Sequence, residues 1–149
     1  MQVALSIIIP VKDEGENIDI LGNEINMAME NVTLPWECIW IDDGSTDTTV
    51  GELKKLSACD ARHRLVILAR NFGQSAALSV GFQNTTGDIL VTLDGDGQND
   101  PADIPRLIEK LQKHGADMVN GVRQKRHDSF IRKISSRIAN NFRDWVTGD

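Results

Sequence analysis

Apolar and polar positions alternate along this chain with two different periods. Short apolar runs rich in β-branched residues, "ALSIIIP", "WECIWI", "RLVILA" and "DILVTL", read as strands. Between them, apolar residues recur every three or four positions, as Ile18, Leu21, Ile25 and Met29 do within "EGENIDILGNEINMAMEN". That spacing places them on one helical face. "STDTTVGELKKLSA" predicts a second helix with Ser45 or Thr46 as its N-cap, and a third follows over about residues 75–83. Pro101 opens a fourth helix, "ADIPRLIEKLQKHG", which Gly115 closes, and "DMVNGV" predicts a fifth strand. Strands alternating with helices predict an α/β fold, a mostly parallel sheet with helices on both faces.

At 149 residues the chain has one domain's length and can bury a substantial core. No stretch approaches the ~18 apolar residues of a membrane span, and "MQVALSIIIP" lacks the basic start of a signal peptide. Cys38 and Cys59 show no metal-ligand spacing and read as reduced thiols. The net charge of −6 conceals a split. Residues 1–120 hold 9 Lys and Arg against 19 Asp and Glu, whereas residues 121–149 hold 7 against 3. An acidic body argues against nucleic acid as a partner, while the basic end leaves room for a local anion site.

In a parallel sheet, ligands bind beyond the carboxyl ends of the strands. The strands here end in "PVKDEGEN", "DDGSTD", "RNFGQS", "DGDGQND" and "GVRQKRHD". Five acid- or arginine-bearing loops at one edge predict a single site. The familiar phosphate loops are missing: there is no GxxxxGK[ST], and no GxGxxG follows the first strand. The run from Ile89 to Leu93 reads as a buried strand that mounts Asp94 and Asp96, whose charges repel unless a cation or proton lies between them. A calcium loop falls because the sixth position is Asn99 and the twelfth is Pro105. What is left, Asp94 and Asp96 with the amide oxygen of Gln98, is an incomplete oxygen shell of the kind Mg2+ or Mn2+ uses when phosphates supply the rest. Alone, this acidic turn would read as a solvated loop with Asp100 as a helix cap. A receiver module fits poorly, because its acidic pair belongs after the first strand and a lysine, not Arg123, after the fifth.

Five segments in order, "SIIIPVKDEGENI", "IDDGSTDTT", "RNFGQSAALSVGF", "GDILVTLDGDGQNDPADIPRLI" and "NGVRQKRHDSFIRKISSRIAN", resemble the successive motifs of the family 2 glycosyltransferases, within their polyprenyl-phosphate branch. The resemblance implies a GT-A nucleotide-diphospho-sugar transferase fold. It implies that Pro10, Glu14, Ile41 and Asp43 line the nucleoside pocket with Asp43 facing the base, and that Gly95 and the two flanking aspartates also meet the nucleotide. Asp94, Asp96 and Gln98 would hold the cation. Asp96 and Arg123 would carry the chemistry, and Arg123, Arg132 and Ser136 the acceptor phosphate. Two positions depart from the family pattern: Gly97 replaces a bulky apolar residue and Lys12 replaces an aromatic, which put the metal loop and the base stacking in question.

The implied reaction is metal-assisted, inverting transfer of a sugar from a nucleotide sugar, UDP-sugar more than GDP-sugar, to polyprenyl phosphate at the cytoplasmic membrane face. A phosphate monoester has its second pKa near ~6, so it is anionic at neutral pH and needs cations rather than a general base. The segment after the fifth strand supplies Arg123, Lys125, Arg126, Arg132 and Lys133, with only Asp128 as a carboxylate before it turns basic. Its stripe of Phe130, Ile134, Ile138 and Phe142 suits packing on a core and lying at a membrane surface equally. The expected division is a nucleotide-sugar-binding core over 1–128 and a basic amphipathic helix over 129–149, the chain stopping before further acceptor-site and transmembrane segments. The alternatives are a family 2 enzyme with a soluble saccharide or protein acceptor, and a non-catalytic nucleotide- or metal-binding module.

Overall fold

A computed structural model of the chain describes residues 3–121. The elements run β1 (Leu5–Val11), α1 (Ile18–Met29), β2 (Trp36–Asp42), α2 (Thr49–Cys59), β3 (His63–Ile67), α3 (Gln74–Gln83) and β4 (Ile89–Thr92), then a 3-10 turn (Pro101–Asp103) leading into α4 (Ile104–His114). The four strands pair in the order β3-β2-β1-β4, every pairing parallel. Leu5 lies opposite Trp36 on one side and Ile89 on the other.

Strand alternation divides the core in two. Ile7, Ile9 and Val11 of β1, with Cys38 and Trp40 of β2, pack against Ile18, Leu21 and Ile25 of α1, Leu53 of α2 and Ile104 and Ile108 of α4. Ile8, Ile39 and Ile41 point the other way and meet Ala77 of α3. Each fully buried isoleucine or leucine contributes about 1.5–3 kcal/mol through removal of its apolar surface from water. α1 buries the face that its spacing predicts, and Gly115 caps α4 with φ 56°, in the left-handed region.

Two buried polar residues tie the strands together. The Glu37 carboxylate accepts hydrogen bonds from Ser6 Oγ (2.8 Å), from the N–H and Oγ1 of Thr86 (3.0 and 2.9 Å), and from Arg64 Nη1 (2.6 Å). Burial pushes this carboxyl up, but the bonds from Arg64, Ser6 and Thr86 outweigh it and hold the group below its ordinary value. On the opposite face, Trp40 Nε1 donates to His63 Nδ1 at 3.0 Å, which leaves the His63 proton on Nε2, facing Asn26 Oδ1 at 3.2 Å. Cys38 and Cys59 are both free thiols.

Three expectations are corrected. Residues 117–121 form no strand, and Met118, which a fifth strand would bury, is 72% exposed. Among the described residues β4 is not a buried strand but an edge: Ile89 and Val91 pack on the core, while Leu90 faces outward, 43% exposed. The N-cap of α2 is Thr48, not Ser45 or Thr46, and the Asp47 carboxylate takes the Thr49 N–H at 2.9 Å. Ser45 and Thr46 are engaged elsewhere, as described below. The expected domain boundary after residue 128 lies outside the described residues.

Candidate active site

The carboxyl ends of all four strands open onto one cavity of about 460 Å3. The end of β1 and its following loop contribute Pro10, Val11, Lys12 and Glu14; the residue after β2 is Asp43; the start of α3 and the segment before it contribute Asn71, Gly73 and Gln74; and the loop after β4 contributes Asp94, Gly95 and Asp96. The edge where acidic loops gather in the sequence is therefore one concave site.

The loop after β1 is held in place by the start of α2. Asp13 sits at φ 54° and accepts from the Thr46 N–H at 2.7 Å, while its own N–H donates to Ser45 Oγ at 2.9 Å. Lys12 Nζ donates to its carboxylate at 2.6 Å, and the Lys12 and Thr46 bonds hold the Asp13 carboxyl down at about 2. The Glu14 N–H donates to Thr49 Oγ1 at 2.8 Å and the Gly15 N–H to Asp47 Oδ2 at 3.0 Å. Asp13, Ser45, Thr46 and Asp47 thus use their polar groups to shape the loop that presents Lys12 and Glu14.

Asp43, 4% exposed, accepts the N–H groups of Phe72 (2.7 Å) and Gly73 (2.9 Å). Across the cavity, Asp94 accepts from Gln74 Nε2 (3.0 Å) and Asn99 Nδ2 (3.2 Å). Asp96 Oδ1 accepts the Gln98 N–H at 2.9 Å, closing a tight turn on itself. Two glycines shape this loop. A Cβ on Gly95 would stand 2.5 Å from Val11 Cγ1, so only glycine lets the loop lie against the end of β1. Gly97 adopts φ 66° with open space around it, so its departure from the family pattern serves the turn.

Of the residues implied for the site, Pro10, Glu14, Asp43, Asp94, Gly95 and Asp96 line the cavity together. Ile41 does not. It is fully buried between the sheet and α3, because its position in β2 points it into the core, and its part is to support the site from beneath. Gln98 lies on the exposed turn outside the cavity wall. Arg123, Arg132 and Ser136 lie outside the described residues. Asn71, Gly73 and Gln74 were missed as site residues, although the quoted loop "RNFGQS" contains them.

Among the lining residues, Glu14, Asp43, Asp94 and Asp96 carry negative charge and Lys12 alone positive charge. Such a cavity repels a diphosphate unless a cation accompanies it. Among the described residues, no group of three or more His, Cys, Asp and Glu could enclose a metal ion. Two carboxylates and an amide fit a Mg2+ or Mn2+ ion that completes its shell from ligand oxygens and water, and do not fit a closed structural site.

The family described as "Glycosyl transferase family 2" matches residues 6–146, and the chain belongs to it. Among curated proteins, it is similar to the undecaprenyl-phosphate 4-deoxy-4-formamido-L-arabinose transferase of Salmonella choleraesuis (strain SC-B67), with 41% identity over 145 residues that cover 97% of this chain and 44% of the relative. The chain therefore spans less than half the length of the curated relatives it matches. Among solved structures, it is similar to a mannosyltransferase from Pyrobaculum calidifontis in complex with GDP-Man and Mn2+ (TM-score 0.63, 20% identity, 74% of this chain and 33% of that one). It is also similar to the glucosyl-3-phosphoglycerate synthase of Mycobacterium tuberculosis in complex with Mn2+, UDP and glucosyl-3-phosphoglycerate (TM-score 0.59, 25% identity, 73% of this chain and 39% of that one). The fold is of the GT-A type. Among the described residues, no helix is long and apolar enough to cross a membrane.

Proposed function

We propose that this chain is the donor-binding catalytic domain of an inverting glycosyltransferase that moves a sugar from a nucleotide sugar to polyprenyl phosphate at the cytoplasmic face of the membrane. The observation that carries the reading is the acidic cavity at the strand ends, with Asp43 on one wall and Asp94 and Asp96 on the other. Pro10, Glu14 and Asp43 form the nucleoside end. Asp94 and Asp96 would hold Mg2+ or Mn2+ at the diphosphate end, with Gln98 on the exposed turn beside them as a further oxygen donor if that turn folds inward over the ion. When bound, that cation supplies countercharge where negative charge develops on the departing nucleoside diphosphate.

The acceptor reading draws on the relatives named for transfer to undecaprenyl phosphate. It also draws on chemistry: an anionic acceptor calls for Arg123, Arg132 and Ser136 rather than for a carboxylate base. UDP is favoured over GDP because, of the two solved structures above, the one with the higher sequence identity, 25% against 20%, holds UDP.

The test is calorimetric titration of the chain with UDP and GDP, each with and without Mn2+. The reading expects UDP binding that requires Mn2+ and exceeds that of GDP. UDP binding of equal strength without any divalent cation, or no binding of either nucleotide, would overturn it.

A further inference from the structure

Asp94 lies in the loop two residues beyond β4, a strand of only four residues, where little backbone pairing holds a side chain in place. Its two oxygens are nevertheless both engaged, by the amides of Gln74 (3.0 Å) and Asn99 (3.2 Å). Both donors are neutral. An ammonium at either place would compete with a cation for the carboxylate, whereas an amide orients it and leaves its charge and its further lone pairs available.

Gln74 is the first residue of α3, and the two residues before it are fixed to the opposite wall. The N–H groups of Phe72 and Gly73 donate to the two oxygens of Asp43. Three consecutive residues therefore grip Asp43 through the backbone and Asp94 through a side chain.

We propose that Gln74 is a positioning residue: it sets the orientation of the Asp94 carboxylate for the divalent cation and ties that orientation to the nucleoside end through Asp43. The inference rests on the donor-site reading above. Hydrogen-bond partners behind metal-binding carboxylates act this way generally, and their loss weakens metal affinity on the order of tenfold or more.

The experiment compares the parent chain with Gln74→Met, which keeps the length of the side chain and removes the amide. UDP binding is followed by calorimetry across a Mn2+ series, beside the thermal unfolding midpoint of each protein. The expected result is a rise on the order of tenfold in the Mn2+ concentration for half-maximal UDP binding, with the unfolding midpoint unchanged. An unchanged Mn2+ requirement overturns the role of Gln74 while leaving the donor site standing. A lowered unfolding midpoint, with UDP binding weakened equally at all Mn2+ concentrations, makes Gln74 merely structural and also overturns the inference. A parent that shows no Mn2+-promoted UDP binding overturns the donor-site reading itself.

Discussion

The Asp43 carboxylate accepts the backbone N–H of Gly73 at 2.9 Å, joining the end of β2 to the start of α3 across 30 residues of sequence. With the Phe72 N–H at 2.7 Å on its other oxygen, Asp43 organises the cavity wall whether or not a ligand is present. Asp43→Asn keeps one acceptor and turns the other into a donor that faces an N–H. The variant should lose about 1.5–3 kcal/mol of stability and bind UDP more weakly. Urea unfolding followed by tryptophan fluorescence checks the first, and calorimetry the second.

Asp96 presents the opposite case. It is exposed, and its Oδ1 accepts the Gln98 N–H within its own turn. Removing its charge relieves repulsion with Asp94 in the metal-free chain. Asp96→Asn should therefore abolish Mn2+-dependent UDP binding with little change in the unfolding midpoint. A variant that binds UDP and Mn2+ as tightly as the parent would remove Asp96 from the metal site.

The buried imidazole of His63 makes stability depend on pH. Burial holds it below its ordinary value of 6.5; Asp60 pulls it upward and Arg62 pushes it further down. The unfolded chain thus takes up the proton first as the pH falls, so the contribution of neutral His63 to stability declines from about neutral pH through the unfolded value and is fully lost below the folded one. Protonation also removes the acceptor that Trp40 Nε1 uses. Urea midpoints measured at about pH 7.5 and about pH 5.5 should fall with pH, and His63→Gln should flatten that part of the profile.

The sequence made the layered architecture legible because the short apolar runs of β1 and β2 and the period-3.6 patterns of α1 and α4 are strong, and these elements carry most of the core. The run "DMVNGV" has strand composition but interrupts it with Asn120 and Gly121, and residues 117–121 form no strand; the edge position of β4 among the described residues depends on pairing order, which no local pattern encodes. The acidic side of the cavity was legible from the strand-end loops. Ile41 was misplaced because the resemblance marks a position in a motif, while strand alternation decides which way its side chain points. Gln74 was missed because a lone amide in a polar loop carries no weight until the fold brings it to Asp94.

Arg132 and Ser136, proposed above for the acceptor phosphate, are four positions apart in sequence, a spacing that in the expected helix would let both serve one anion. In the full-length protein, Arg132→Ala should weaken the use of polyprenyl phosphate on the order of ten- to a hundredfold, the equivalent of about 1.5–3 kcal/mol for a charge-assisted contact. Nucleotide-sugar binding should be nearly unchanged. A titration of the lipid acceptor at saturating donor checks this.

The central claim is transfer to a lipid phosphate, and a direct transfer assay tests it. The full-length protein is incubated with Mn2+ and a panel of labelled UDP- and GDP-sugars, offered polyprenyl phosphate, the corresponding polyprenol or a soluble saccharide, and the label is followed into each acceptor. The account predicts label in the polyprenyl phosphate alone, dependent on Mn2+. Equal transfer to the polyprenol, or transfer only to the soluble saccharide, would contradict it.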